Sequence, residues 1–140
     1  MKKRRLKLAT MRKLFSDYIR TRDKWTCQVC HRNFEHDPRV LHASHHLPVG
    51  MGGGNVFMKY LPDNASAKCA IPGKYPVGCH QWMDLHNIEH VEWFKEWLGP
   101  ERYDRLRELD VNPPRIHTDA DHRELAEELK GKLKALQENR

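Results

Sequence analysis

A chain of 140 residues with 39% hydrophobic and 31% charged side chains is long enough for one domain with a modest core and too short for two ordinary ones. Its eight glycines and eight prolines exclude a collagen-like repeat, and its apolar content excludes a wholly disordered chain. Ten of the 25 basic residues lie in residues 1–24 beside only Asp17 and Asp23, so this segment carries +8 and the remainder, 15 against 17, carries −2.

The opening "MKKRRLKLATMRKL" is not followed by the apolar run of a signal peptide, and no stretch approaches the roughly 18 to 20 apolar residues that span a bilayer. A cytoplasmic protein without membrane contact is expected. A basic arm suits a polyphosphate partner, since each neutralised phosphate releases counterions, but it equally suits a solvated helix face. The candidate phosphate contacts are Lys2, Lys3, Arg4, Arg5, Lys7, Arg12, Lys13, Arg20 and Arg22.

Thr10 is placed to cap a helix in which Met11, Leu14, Phe15, Tyr18 and Ile19 recur at helical spacing. "WTCQVCHRNF" reads as a tight turn structure around Cys27 and Cys30, and "RVLHASHHL" as a strand with Val40 to Leu47 extended. The glycine block at 50–54 ends that strand, and residues 48–79 read as largely irregular. From Cys79 the pattern turns helical, with Val91, Phe94 and Leu98 on one side and Trp93 and Trp97 adjoining. A further helix follows Pro100, with Tyr103 and Leu106 inward. After Pro113 and Pro114, the residues Leu125, Leu129, Leu133 and Leu136 form a stripe that needs a partner in the domain, in a second subunit or on another protein.

Irregular chain must be held by something other than ladder hydrogen bonds, and a metal is the simplest candidate. In a reducing compartment Cys27, Cys30, Cys69 and Cys79 suit a structural zinc ion better than two disulfides. The nine residues between Cys69 and Cys79 are not the usual knuckle, so sets that use His31 or leave one thiol free stay open.

The order CxxC, "SHHLPVGMGGGN", "DN", Cys and "CH" resembles the HNH endonucleases. More narrowly, "YIRTRDKWTCQVCHRNFE", "LHASH", "PDNASAKC", "GCHQWM" and "HVEWFKEWLGPERYDRL" look like the phage NinG (Rap) recombination endonuclease group, over residues 14 to 107 approximately. The resemblance implies an α+β fold: a small zinc-stabilised ββα-metal (His-Me finger) core with flanking α-helices. Its parts would be a basic arm and helix at 1–24, the nuclease core at 25–98 and a helical extension at 99–140. It further implies a metal-dependent DNA endonuclease of recombination or DNA processing, with branched intermediates among its substrates and a bacterial host cell as its compartment.

Carried over by position, the resemblance makes His80 a ligand of a catalytic divalent ion (Mg, Mn or another transition ion). Asn64 would orient the base histidine or tie down its loop. Two registers fit the strand histidines. Pro48 and Gly52-Gly53 match the family spacing with His45 as general base, whereas "HHL" also fits His45 as metal ligand and His46 as base. Ser44 stands where the family carries Asp, so the cation needs a further ligand from His46, Asp84 or His86, the last two lying on the first turns after His80. His42 is taken as structural or as a support behind the site residues. The competing readings are a noncatalytic zinc module that binds DNA or a protein, and a nuclease of RNA or of defence.

Overall fold

The structure, a computed structural model, describes residues 8–47, 56–116 and 118–138. The fold is α+β: a two-stranded antiparallel sheet among helices. Helix α1 spans Leu8–Arg22, strand β1 Leu41–His45, the single turn α2 Val56–Lys59, strand β2 Ala65–Cys69, and helices α3 Cys79–Leu85, α4 Asn87–Leu98, α5 Pro100–Val111 and α6 Asp119–Glu138. A 3₁₀ turn, Pro62–Asn64, leads into β2. The glycine loop expected after the first strand lies outside the described residues. Among those described, no helix is long and apolar enough to cross a membrane.

Helix α1 forms on the expected periodicity, with Met11, Phe15 and Ile19 buried along one face. It starts two residues before Thr10, which therefore lies inside the helix instead of capping it. The helix ends where Lys24 and Trp25 both turn to φ 56°, and the Trp25 N–H returns to the Arg20 carbonyl. A single bridge between Thr26 and Asn33 then closes the loop that holds the first two cysteines.

Strand β1 is shorter than expected, because His46 and Leu47 bend away after His45. Its partner β2 falls within the stretch taken as irregular. Ala, Ser and Lys are weak strand formers, so "ASAKC" carries no propensity signal. Pairing and burial decide it instead: Leu41 faces Cys69, Ser44 faces Ser66, and all five residues of β2 are buried. Leu41, Ala43 and His45 share the sheet face against α1, where the Phe15 ring stacks on His45 at 5.8 Å. The opposite face carries Ser44, Ser66 and Lys68 and meets α3 and α4, with Lys68 Nζ 5.0 Å above Trp93.

Two apolar clusters hold these layers. Met11, Phe15, Ile19, Val29, Leu41, Tyr60 and Met83 form the first, which Ala126 and Leu129 of α6 complete. The leucine stripe thus packs within the chain: Leu129 is fully buried, Leu125 joins the same cluster, and Leu133 and Leu136 are half-buried. Leu47, Met58, Phe94, Leu98 and Leu106 form the second cluster. Fully burying each such side chain contributes on the order of 1.5–3 kcal/mol.

Gly99 joins α4 to α5 at φ 87°, a conformation that a side chain would strain, and Pro100 opens the next helix. Helix α4 turns differently from expectation. His90 is buried in line with Phe94 and Leu98, and Val91 is left on the surface.

Candidate metal centre and histidine cleft

The four cysteines converge. Cys27 and Cys30 come from the closed loop, Cys69 from the end of β2 and Cys79 from the start of α3, and their sulfurs all lie within 4.8 Å of one another. None is in a disulfide. Cys30 Sγ and Cys69 Sγ are 3.8 Å apart, the edge expected for a tetrahedral ion with Zn–S bonds of about 2.3 Å. The nine-residue loop between Cys69 and Cys79 therefore does close the set, while His31 is exposed and outside it.

The charge state of the thiols fits a cation. Cys79 donates to Cys27 and holds it ionised, with its pKa lowered to about 4. The same bond raises Cys79, and burial raises Cys69. Four thiolates can share this volume only around a positive ion, so the cluster can hold a structural metal such as zinc.

Arg32 braces the cluster from outside. Its Nε donates to Cys30 Sγ at 3.4 Å and its Nη2 to Cys69 Sγ at 3.3 Å, while the guanidinium also holds the carbonyls of Ile71 and Pro72, each at 3.1 Å. Gly73 lies under this group; a Cβ there would meet the guanidinium carbon at 2.5 Å. The 70–78 loop is folded around an arginine.

Beyond the sheet end lies an open cleft of about 310 Å³ lined by His45, His46, Leu47, His80, Asp84, Asn87 and His90. His80 enters it from the first turn of α3, one residue after Cys79. Its Nδ1 shares a 2.8 Å hydrogen bond with Ser44 Oγ, and its Nε2 lies 3.8 Å from Asp84 Oδ2, one turn along the helix. Burial lowers the His80 pKa, partly opposed by Asp84.

His45 donates from Nε2 to the Lys59 carbonyl at 2.7 Å, which leaves Nδ1 as the unprotonated nitrogen. Burial lowers its pKa also. Arg12 and Lys59 border a second recess on the other side of His45, so two cations flank the histidine.

His46 is placed differently. It is 6% exposed, stacks on Phe94 at 4.8 Å, and reaches His90 Nε2 with its Nδ1 at 3.4 Å. Its Nε2 is enclosed without a hydrogen-bond partner.

Asn64 is fully buried and does not line the cleft. Its Oδ1 accepts from the Leu47 N–H at 2.8 Å, and its Nδ2 donates to the carbonyls of Leu47 and Met58 at 3.2 and 3.1 Å. It ties the end of β1 to the α2 turn.

His86 is not brought in. It ends α3 with its ring 3.9 Å from Trp82 and its Nδ1 donating to the Trp82 carbonyl, away from the cleft. His42 sits at the margin, its ring 5.4 Å from that of His80 and its Nε2 donating to the Arg39 carbonyl.

The basic residues divide in the same way. Arg12 and Lys13 are exposed, the latter paired with Asp17 at 2.7 Å. Arg20 and Arg22, expected as phosphate contacts, are used internally. Arg20 bonds Asp17 and the Leu41 carbonyl, and Arg22 holds Asp23 and the carbonyls of Pro62 and Ala65. Those carbonyls lie next to the sheet, where the guanidinium groups help to satisfy them; that of Pro62 also accepts the Ala65 N–H. Lys2, Lys3, Arg4, Arg5 and Lys7 lie outside the described residues.

Lys59, Asn87 and His90 were absent from the sequence-derived set. His90 had a signal, its i, i+4, i+8 alignment with Phe94 and Leu98; Lys59 and Asn87 had none. Comparison of the chain with protein-family models, curated proteins and solved structures finds no match.

Proposed function

We propose that the chain is a metal-dependent DNA endonuclease of the HNH type, hydrolysing phosphodiester bonds. The observation that carries this reading is the meeting of His45 and His80 in one cleft at the end of a β1–β2 hairpin-like pair followed by α3, with Asn64 bracing the strand end. That order of two antiparallel strands and a helix is what a ββα-metal core requires.

His45 is the better general base. Its tautomer is fixed by the Lys59 carbonyl, so Nδ1 is free to accept a proton from water. His46 is enclosed by aromatic rings and stands where a core side chain would be expected. His80 and Asp84 would hold the divalent ion. Such an ion, when bound, offsets the charge that develops on the phosphoryl and leaving 3′ oxygens. Arg12 and Lys59 supply positive charge beside the base for the flanking phosphates. Recombination intermediates as substrates, and a phage origin, rest on the sequence resemblance.

A second reading is a noncatalytic zinc-stabilised module that binds DNA or a protein. Among the described residues the four cysteines alone gather three or more potential metal ligands within 4.8 Å, which favours it.

Nicking of supercoiled plasmid with Mg, Mn, Co or Ni separates the two. The endonuclease reading expects cleavage that His45→Ala and His80→Ala each reduce by roughly 10²–10⁴-fold. Absence of cleavage of duplex, single-stranded and branched DNA with every ion tested overturns it.

A further inference from the structure

We propose that the recess on the other side of His45 is a built phosphate seat, in which Arg12, Lys59, Ser16 and Tyr60 hold one backbone phosphate of the strand that enters the histidine cleft. This deepens the endonuclease reading, on which the choice of a DNA strand as ligand rests.

The recess encloses about 200 Å³. Arg12 and Ser16, one turn apart on α1, border it together with Lys59 at the end of α2 and Tyr60 beside it, and Phe15 and Ala43 give it an apolar wall. Its charge is one-sided. No Asp or Glu lines it, and among the described residues the side chains of Arg12 and Lys59 make no ion pair or hydrogen bond, whereas the neighbouring Lys13 is taken by Asp17. Burial and the Arg12 charge both hold the Lys59 ammonium below its ordinary pKa, as befits a cation short of a counter-ion.

Two hydroxyls border the same space without partners. That of Ser16 is half-buried, and Tyr60 is 2% exposed with its hydroxyl enclosed and unbonded. An enclosed polar group left unpaired costs free energy that a ligand oxygen recovers. Two cations, two hydroxyl donors and no carboxylate repel a metal ion and suit a phosphate, whose oxygens only accept.

The cleft has the opposite character, since Asp84 lines it beside His80. His45 borders both hollows, and the carbonyl that fixes its Nε2 belongs to Lys59, whose ammonium serves the seat. A strand crossing His45 thus meets a cleft suited to a cation on one side and a recess suited to an anion on the other.

The test uses the full chain with its cysteine-bound metal and no added divalent ion, so that binding is read without cleavage. Inorganic phosphate should shift the NMR signals of the Arg12 Nε–H and the Tyr60 ring, and chloride at equal ionic strength should not. Affinity for a fluorescein-labelled DNA duplex should fall with salt, and the double variant Arg12→Gln, Lys59→Gln should lower the log–log slope by about 1, the share of one phosphate. Tyr60→Phe breaks no contact within the chain; it should keep the slope and weaken duplex binding roughly 10-fold.

Arg12 and Tyr60 signals that phosphate leaves unshifted in wild type overturn the proposal without reliance on any variant. A salt slope unchanged in the double variant does so too, and Tyr60→Phe that binds as wild type does reduces the seat to a charged surface. Plasmid nicking is scored apart. Its absence with every ion brings down the endonuclease reading while the phosphate shifts stand, and nicking without those shifts does the reverse.

Discussion

Asn64 positions His45 without touching it: the Asn64 amide holds the Met58 carbonyl, and the next carbonyl along the chain, that of Lys59, receives the His45 ring. The near-isosteric Asn64→Asp removes the donor and sets a carboxylate against the Leu47 and Met58 carbonyls. Leaving buried groups unpaired in this way costs on the order of 2–4 kcal/mol. Denaturant unfolding should show that loss, and plasmid nicking should fall through turnover more than through affinity. A variant as stable and as active as wild type removes Asn64 from this role.

Metal analysis of the protein as expressed should give one zinc per chain. Chelation, or Cys27→Ser, should abolish cooperative unfolding of the sheet and α3, because structural zinc sites contribute about 10–16 kcal/mol of apparent binding free energy to folding. Hydrogen exchange at β2 is the direct measure. Protection of Ala67 and Cys69 amides that survives complete metal removal counts against a structural ion.

Arg32→Met should speed zinc transfer to a chromophoric chelator by roughly 10–100-fold, the usual cost of losing a hydrogen-bonding partner of a ligand. Arg32→Lys should not restore retention, since a single ammonium cannot replace a planar fork bonded to two sulfurs and two carbonyls. Gly73→Ala should act in the same direction by pushing the guanidinium away. Unchanged transfer rates in all three would show that Arg32 only borders the cluster.

The pH dependence follows from burial of His45, which lowers its pKa from the ordinary 6.5. A base works in its neutral form, so the acidic limb of the nicking rate should fall below pH 6.5. Stability should decline on the same side: as pH falls through 6.5 the unfolded chain takes up a proton that the folded chain does not, favouring unfolding. Burial lowers His46 further still, so an acidic limb at or above 6.5 would count against either strand histidine as the base.

Helical spacing made α1 and α6 legible, because a buried stripe is written in which residues are apolar. The cysteine cluster, which can hold a metal, was legible because few other chemistries need four cysteines in so short a chain. Strand β2 was not, since Ala65, Ser66 and Ala67 are chosen for small size between two packed layers and resemble loop residues in isolation. The split between His45 and His46 was hidden as well: adjacent residues at a strand end differ only in which face they leave by. For Arg20 and Arg22, composition records a charge but not whether its donors are already spent on carbonyls.

Strand β2 begins directly after Asn64 and ends at Cys69, so its five residues act as a ruler between the Asn64 brace and the thiol cluster, about 17 Å at a rise of 3.4 Å per residue. A ruler in a sheet has parity as well as length. One small uncharged residue inserted between Asn64 and Cys69 would leave the charge and every candidate ligand in place, yet send Lys68 and Ser66 to the face now held by Ala67 or turn Cys69 out of the thiol cluster. Natural variation in this segment should therefore be free in identity among small residues and closed to changes in count.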